Sequence, residues 1–383
     1  MSLDLFAGTY ARGGVADAVS ASAWVQAMVD VEAALAAACA VEGLIAPEAA
    51  AAILRALQDG PVDVAAIAAE AGEHATAVIP LVRALRERVG PPFAEAVHFG
   101  ATSQDILDTA AMLLARRAID VIVADADAAM ADAARLAVAH RSTPMLGRTL
   151  LQAALPTSFG LVAAGWLVGL ERAAAELKRV RDSGLAVQMG GAVGTRPPEV
   201  AARVAASLHL TVPLLPWHTE RTRIAQLAGA LGAVSGTAAK IARDVTLMAQ
   251  TEVGEVREGG ECRGASSAMA HKRNPVAAVS VIACAHRVPG LVATLLAGMV
   301  QEQQRGAGAW QAEWGTLTDL LTLAGSAVAW LADLLAHLEA DVDRMRANLG
   351  ALAAAGVAAA ARPEAQLADA ERLVDRALAE VRR

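Results

Sequence analysis

The 383-residue sequence predicts an all-α protein, a bundle of long helices, and three observations carry that prediction. From Ala101 to Thr143 there is neither glycine nor proline. From Ile224, the residues Leu227, Leu231, Val234, Ala238, Ile241, Val245 and Met248 recur at alternating spacings of three and four, a heptad seam. Strand signals are nearly absent, with Leu185–Val187 and Thr211–Leu215 at most short strands.

In chain order, Trp24, Met28, Val31, Leu35 and Ala38 fall on one helical face, and Gly43 and Pro47 end that helix. The stretch free of glycine and proline is a second, longer one. The seam predicts a helix from about Arg221 to Val256, roughly 50 Å at ~1.5 Å per residue. Gly229, Gly232 and Gly236 along it would admit close neighbours. Asn274-Pro275 predicts another helix start, with Asn as N-cap and Pro in the first turn. The expected divisions are an N-terminal helical domain at 1–100, a central bundle at 101–340 and a short C-terminal helical remnant at 341–383. A seam this rich in alanine, with 3% aromatic residues, needs partners on several sides. An oligomer is therefore expected over a monomeric bundle.

Composition narrows the function classes. Hydrophobic residues make up 55% and charged residues 19%, ample for a core. A formal charge of -7 argues against a nucleic-acid partner. A mean hydropathy of +0.41 raises the question of a membrane. The run Phe159–Leu170 is too short to span one, however, and Leu317–Leu338 carries Asp319 and Asp333. MSLDLFAGTY lacks the basic and apolar regions of a signal peptide. Cys39, Cys262 and Cys284 have neither metal-ligand nor disulfide spacing, so a reduced cytoplasmic protein is expected.

Three polar islands interrupt the apolar pattern. HFGATSQD, His98 to Asp105, precedes the long helix. There Thr102, Ser103 and Gln104 can cap the first turn, and free N–H groups suit a carboxylate ligand; in isolation TSxD reads as an ordinary cap. GRTLLQAALPTSFG, Gly147 to Gly160, places Arg148, Thr149 and Gln152 before Pro156 and an apolar helix, and alone it could be a structural turn. GASSAMAHKRNP, residues 264–275, sets Ser266 and Ser267 before Lys272 and Asn274 at a helix start. A serine becomes a useful acid or base when cations and N–H groups stabilise its alkoxide, which Lys272 and the helix N-terminus could do. The alternative is a flexible loop with a solvated HKR cluster.

Together and in this order, the islands resemble the fumarase/aspartase superfamily. GASSAMAHKRNP looks like its signature loop GSSxMPxKxNP, and HFGATSQDILDTA and GRTLLQAALP look like its other two conserved regions. The resemblance spans nearly the whole chain. It implies a homotetramer with a long-helix core, active sites built from three subunits, and addition or elimination through a carbanion beside a carboxylate, without metal or cofactor. Within the superfamily, QMGGAVGT (Gln188–Thr195), the WHTERTRIAQL segment and QRGAGAWQAEW (Gln304–Trp314) are similar to the bacterial 3-carboxy-cis,cis-muconate cycloisomerase branch, which closes a tricarboxylate diene to 4-carboxymuconolactone in protocatechuate breakdown. The adenylosuccinate lyase branch, which shares the HKRNP and TSxD types, is the runner-up.

Departures weigh on that choice. The lyases read RTHxQ in the second motif and pair that His with a Glu; here the positions are Leu150 and Val279. An expelled amine or hydroxide needs a nearby acid, whereas a lactone opens to a carboxylate, which leaves unprotonated. Ala265 and Ala270 replace the usual glycine and proline of the loop, and after MRANLG the sequence runs only briefly to Arg383, a truncated C-terminal domain by the superfamily's standard. By resemblance, Ser266 delivers the proton to carbon, Lys272 and Asn274 stabilise the aci-carboxylate, and Ser267 is a neighbour. Thr102, Ser103 and Thr149 bind substrate carboxylates. Arg148, Arg305 and His218 are weaker candidates for the remaining charge, and Trp310, with Trp314, suits a small planar polyene acid. Gln250 matches a substrate-contacting glutamine of the runner-up; a buried helix–helix hydrogen bond is the equal alternative.

Overall fold

Six long helices organise the chain: α1 (Ala21–Val41), α2 (Ser103–Ala139), α3 (Phe159–Arg179), α4 (Thr222–Met248), α5 (Val276–Ala297) and α6 (Ala309–Ala336). A computed structural model describes residues 5–260, 263–356 and 363–381. Cys262 and part of the expected C-terminal remnant lie outside the described residues; Cys39 and Cys284 are buried and unpaired. α5 lies along α4 and α6, α2 packs against α3 and α6, and α3 runs beside α4. Shorter helices, Pro47–Gln58, Val64–His74 and Val78–Val89, gather beside α1, and one continuous core joins α1 to α2, α4 and α6. α7 (Val342–Ala354) and α8 (Glu364–Val381) follow α6.

The apolar periodicities bury as expected. Every seam residue of α4 is at most 7% exposed. On α1, Met28, Val31, Leu35 and Ala38 are buried and Trp24 half-buried. α2 is 37 residues long, roughly 55 Å at ~1.5 Å per residue.

Several expectations need correction. α4 ends at Met248 rather than Val256. The Val253 and Gly254 N–H groups turn back to Gln250 O, Gly254 takes φ +62°, and Glu255 N–H bonds Met248 O. Val256–Glu258 then forms β3, paired antiparallel with β4 (Leu338–Ala340). The second island is an antiparallel hairpin, β1 (Pro144–Thr149) and β2 (Gln152–Ser158), around the two-residue turn Leu150-Leu151 at φ +51° and +65°. (The expected short strands reduce to one bridge, Ala186 to Thr211.) Asn274 does not cap α5: its Nδ2 donates to Gly264 O at 3.1 Å. The Glu258 carboxylate instead accepts from Ala277 and Ala278 N–H at 3.1 and 2.9 Å, so it occupies the helix N-terminus that was to support a serine alkoxide. Within the chain, Gly232 meets another helix, where an added Cβ would lie 3.4 Å from Val292, while Gly229 and Gly236 meet no other helix of the same copy among the described residues.

By length and composition alone α1, α5 and α6 could each cross a membrane, and the most apolar windows of α1 and α6 are 61% buried inside the fold while that of α5 is 33% buried.

Charge is buried at one junction of α2, α4 and α6. Arg221, just before α4, forks onto Asp108 of α2 at 2.8 and 3.1 Å and onto Glu313 of α6 at 3.0 and 2.5 Å. The Trp310 indole N–H and Gln104 Nε2 also donate to Asp108, and Gln301 Nε2 to Glu313. Burial pushes the Glu313 carboxyl up against the lowering pull of Arg221. At the opposite end of α6, Asp333 accepts both terminal nitrogens of Arg263 at 3.2 and 2.5 Å, with Arg12 at 3.3 Å and His337 at 3.2 Å. Burial raises its pKa, but the Arg263 fork and the neighbouring cations outweigh it and hold the carboxyl below the ordinary range.

Removing the guanidinium in Arg221→Met leaves two buried carboxylates without their cation, an expected loss of about 3–5 kcal/mol by urea unfolding, with Arg221→Lys recovering only part because one ammonium cannot fork both partners. A carboxyl whose pKa is depressed by folding stabilises the fold above its unfolded pKa and ceases to as pH falls through the folded one. The thermal-midpoint gap between wild type and Asp333→Asn should therefore be widest at neutral pH and shrink below about pH 4.

Candidate active site

The first island sits at the start of α2. Thr102 is its N-cap residue, and Thr102 and Ser103 are both half-buried. Beneath them Asp105 is fully buried and accepts four donors: Thr102 N–H at 3.1 Å, Gly190 N–H at 2.9 Å, Gly191 N–H at 2.8 Å and His218 Nε2 at 2.8 Å. Burial would raise its pKa, yet the His218 and glycine hydrogen bonds prevail and hold the carboxyl below the ordinary range. Arg305 lies on the far side of the same segment, donating to Gly191 O at 2.6 Å and Ala192 O at 2.9 Å. His98 takes φ +62° and places Nδ1 2.5 Å from the buried Glu32 of α1.

Two residues expected to meet substrate here have other partners. His218 is 5% exposed, with its Nε2 on Asp105. Trp310 is 7% exposed and directs its indole N–H to Asp108, packed edge-to-face on Trp314 with centroids 4.8 Å apart. A buried indole beside a buried carboxylate is worth more as its hydrogen-bond partner than as a wall for ligand.

The second island lies beyond the other end of α2. Arg148 is locked on the buried Glu255 by two 2.8 Å hydrogen bonds, so its charge is neutralised within the chain rather than offered to an anion. Asn348 of α7 shares Glu255 at 2.9 Å. Thr149 is exposed at the strand end, next to Leu150, which is 96% exposed. Gln250 is exposed rather than buried between helices; with Leu146, Arg148, Leu151, Lys240 and Asp244 it lines an open groove of about 430 Å³.

The third island is a loop closed at its base. Asn274 gives both its backbone N–H (2.8 Å) and Nδ2 (3.1 Å) to Gly264 O, and Gly264 takes φ +66° where an added Cβ would lie 2.0 Å from Asn274 O. The Arg263 fork onto Asp333 and its 3.1 Å contact with Glu258 anchor the root. Within the loop, half-buried Ser266 accepts Ala268 and Met269 N–H on Oγ at 3.3 and 3.2 Å, while Ser267 and Lys272 are exposed.

The islands therefore do not meet within one chain. α4 starts beside the start of α2, through Arg221 and Asp108, and ends beside the hairpin, through Gln250 and the Glu255–Arg148 pair. Hairpin and loop root share that end; Thr102 and Ser103 stand roughly 55 Å away along α2. Sequence reading missed the residues that hold each island: Asp108, Arg221, Glu313, Glu255, Glu258 and Asp333. The available signal was carboxylates at helical spacing on an otherwise apolar face, as at Asp105 and Asp108 in QDILDTAAMLL.

The fold and the sequence have counterparts among known proteins. A family model described as Lyase matches residues 12–290. The 3-carboxy-cis,cis-muconate cycloisomerase of Bradyrhizobium diazoefficiens is 48% identical over 336 residues, 85% of this chain and 74% of that protein. Nitrosuccinate lyase of Streptomyces davaonensis is 44% identical over 382 residues, 94% of this chain and 80% of that protein. The crystal structure of the 3-carboxy-cis,cis-muconate lactonizing enzyme from Pseudomonas putida superposes with a TM-score of 0.88 at 35% identity, covering 99% of both chains. The long-helix bundle, the three islands and these matches agree: the chain belongs to the fumarase/aspartase superfamily of lyases.

Proposed function

We propose that the protein closes 3-carboxy-cis,cis-muconate to its carboxymuconolactone, as a homo-oligomer whose active sites combine islands from different subunits. The observation that carries the reaction is the apolar pair Leu150 and Val279, 96% and 53% exposed, at the positions where related lyases hold the His–Glu pair that serves a basic leaving group. Lactonisation has no such need. A substrate carboxylate oxygen attacks the conjugated alkene, the C–O bond forms, and the π electrons move onto the distal carboxylate. The resulting aci-carboxylate is protonated at the adjacent carbon.

Ser266 supplies that proton. The Ala268 and Met269 N–H groups on its Oγ lower the cost of the alkoxide left behind. Lys272 and the second amide hydrogen of Asn274 stabilise the charge on the aci-carboxylate, with Ser267 alongside. Thr102, Ser103 and Thr149 bind the third carboxylate, which neither attacks nor takes up the charge, with Arg305 adding positive charge behind the Gly191–Ala192 carbonyls.

The 55 Å span of α2 supports shared sites, because only another copy can bring a loop or hairpin to a Thr102–Ser103 turn. The exposed apolar face of α5, and the open groove of about 570 Å³ that Gly232, Gly236, Pro289 and Leu296 line between α4 and α5, are consistent with helix packing between copies in a homotetramer.

A second reading is favoured by the nitrosuccinate lyase, which matches 94% of the chain. Nitrite, like a carboxylate, departs without an acid, so expulsion of nitrite from nitrosuccinate also fits a site with Leu150 and Val279.

Loss of the diene absorbance of 3-carboxy-cis,cis-muconate, with no nitrite released from nitrosuccinate and adenylosuccinate untouched, is the expected result; nitrite release without diene loss would transfer the assignment to the second reading. Ser266→Ala should lower turnover by about 10²–10⁴-fold with unchanged circular dichroism and oligomeric state.

A further inference from the structure

We propose that His218 and Asp105 are positioning residues for substrate capture. They set the spacing between the Thr102–Ser103 turn and the Gly190–Ala192 segment without themselves touching substrate. The proposal rests on the reading that Thr102 and Ser103 hold an unreacting substrate carboxylate. Asp105 gathers the two segments onto one carboxylate: Oδ2 takes Thr102 N–H and Gly191 N–H, and Oδ1 takes Gly190 N–H and His218 Nε2.

The surroundings leave this arrangement little freedom. A Cβ on Gly190 would lie 2.7 Å from His218 Cε1, and one on Gly191 would lie 2.9 Å from Gly100 O. The His218 carbonyl accepts Gln104 Nε2 at 2.7 Å, so the histidine is tied to α2 at both its ring and its backbone. Arg305 and Arg196 brace the outer side: Arg305 holds Gly191 O and Ala192 O, while Arg196 N–H meets Gly190 O at 3.1 Å and its guanidinium meets Phe99 O at 2.8 Å. Loss of the imidazole leaves the buried Asp105 with three backbone donors, and the anchor that joins the two segments loses its side-chain donor.

The kinetic consequence follows from where the reaction happens. The carboxylate held by Thr102 and Ser103 keeps its charge throughout the reaction, so most of its binding energy is shared by the ground and transition states. Misplacing its donors raises KM and leaves kcat nearly unchanged. The Ser266 loop is held from its own root by Arg263 and Asn274 and does not depend on this anchor.

The test compares His218→Ala with His218→Gln, whose amide Nε2 can still donate to Asp105. His218→Ala should raise KM for 3-carboxy-cis,cis-muconate about tenfold or more with kcat within about threefold, and His218→Gln should return most of the loss. Hydrogen exchange should quicken in peptides covering 99–107 and 188–196 in the alanine variant alone. A fall in kcat with KM unchanged, a glutamine variant no better than alanine, or unaltered exchange would each overturn the proposal. The exchange measurement needs no substrate: wild-type inactivity on muconate would remove the functional reading while exchange still decides whether the anchor exists.

Discussion

A straight helix of 37 residues cannot bring its two ends together, and the rest of this molecule is arranged around that constraint. α2 carries the Thr102–Ser103 turn at its start and hands the chain to the hairpin at its end. α4, joined to α2 at its start through Arg221 and ending beside the hairpin, repeats the separation. Under the proposed function, chemistry that needs both ends is assembled from more than one copy, with the apolar faces left open on α4 and α5 as the packing surfaces.

The separation also explains why each island carries its own internal bracing. At the first, Asp105 and the Asp108–Arg221–Glu313 junction fasten α2 to α4, α6 and the glycine segment. At the second, Glu255 grips Arg148 while Asn348 steadies Glu255. At the third, Gly264, Asn274, Arg263 and Glu258 close the loop and cap α5. An isolated buried carboxylate would be costly; each of these has cationic or N–H partners within hydrogen-bond distance, which fixes direction as well as energy. The groups proposed to meet substrate can then stay exposed on turns whose backbones are held from behind.

Much of the fold was legible in the sequence because burial follows helical period. The α4 seam, the α1 face and the long α2 needed only apolar spacing and the absence of glycine and proline. The hairpin was not legible. Its turn is Leu-Leu, with both residues in the left-handed region, and nothing in GRTLLQAALP announces a hairpin as Asn-Gly would. The end of α4 was overestimated for a related reason: MAQTEV still looks helical, and the stop comes from Gly254 and from pairing with β4, over eighty residues away in sequence.

The sequence by itself determined the helical class, the positions of the three polar islands and their likeness to one superfamily, because these depend on local composition and spacing. Only the tertiary structure decided how the polar side chains divide their labour. Arg148, His218 and Trp310 read alike as ligands for substrate, yet each faces a carboxylate brought from a distant segment, Glu255, Asp105 and Asp108. A charged or hydrogen-bonding side chain carries no mark of its partner in the one-dimensional order. Which groups remain free for chemistry is settled by which carboxylates folding buries beside them.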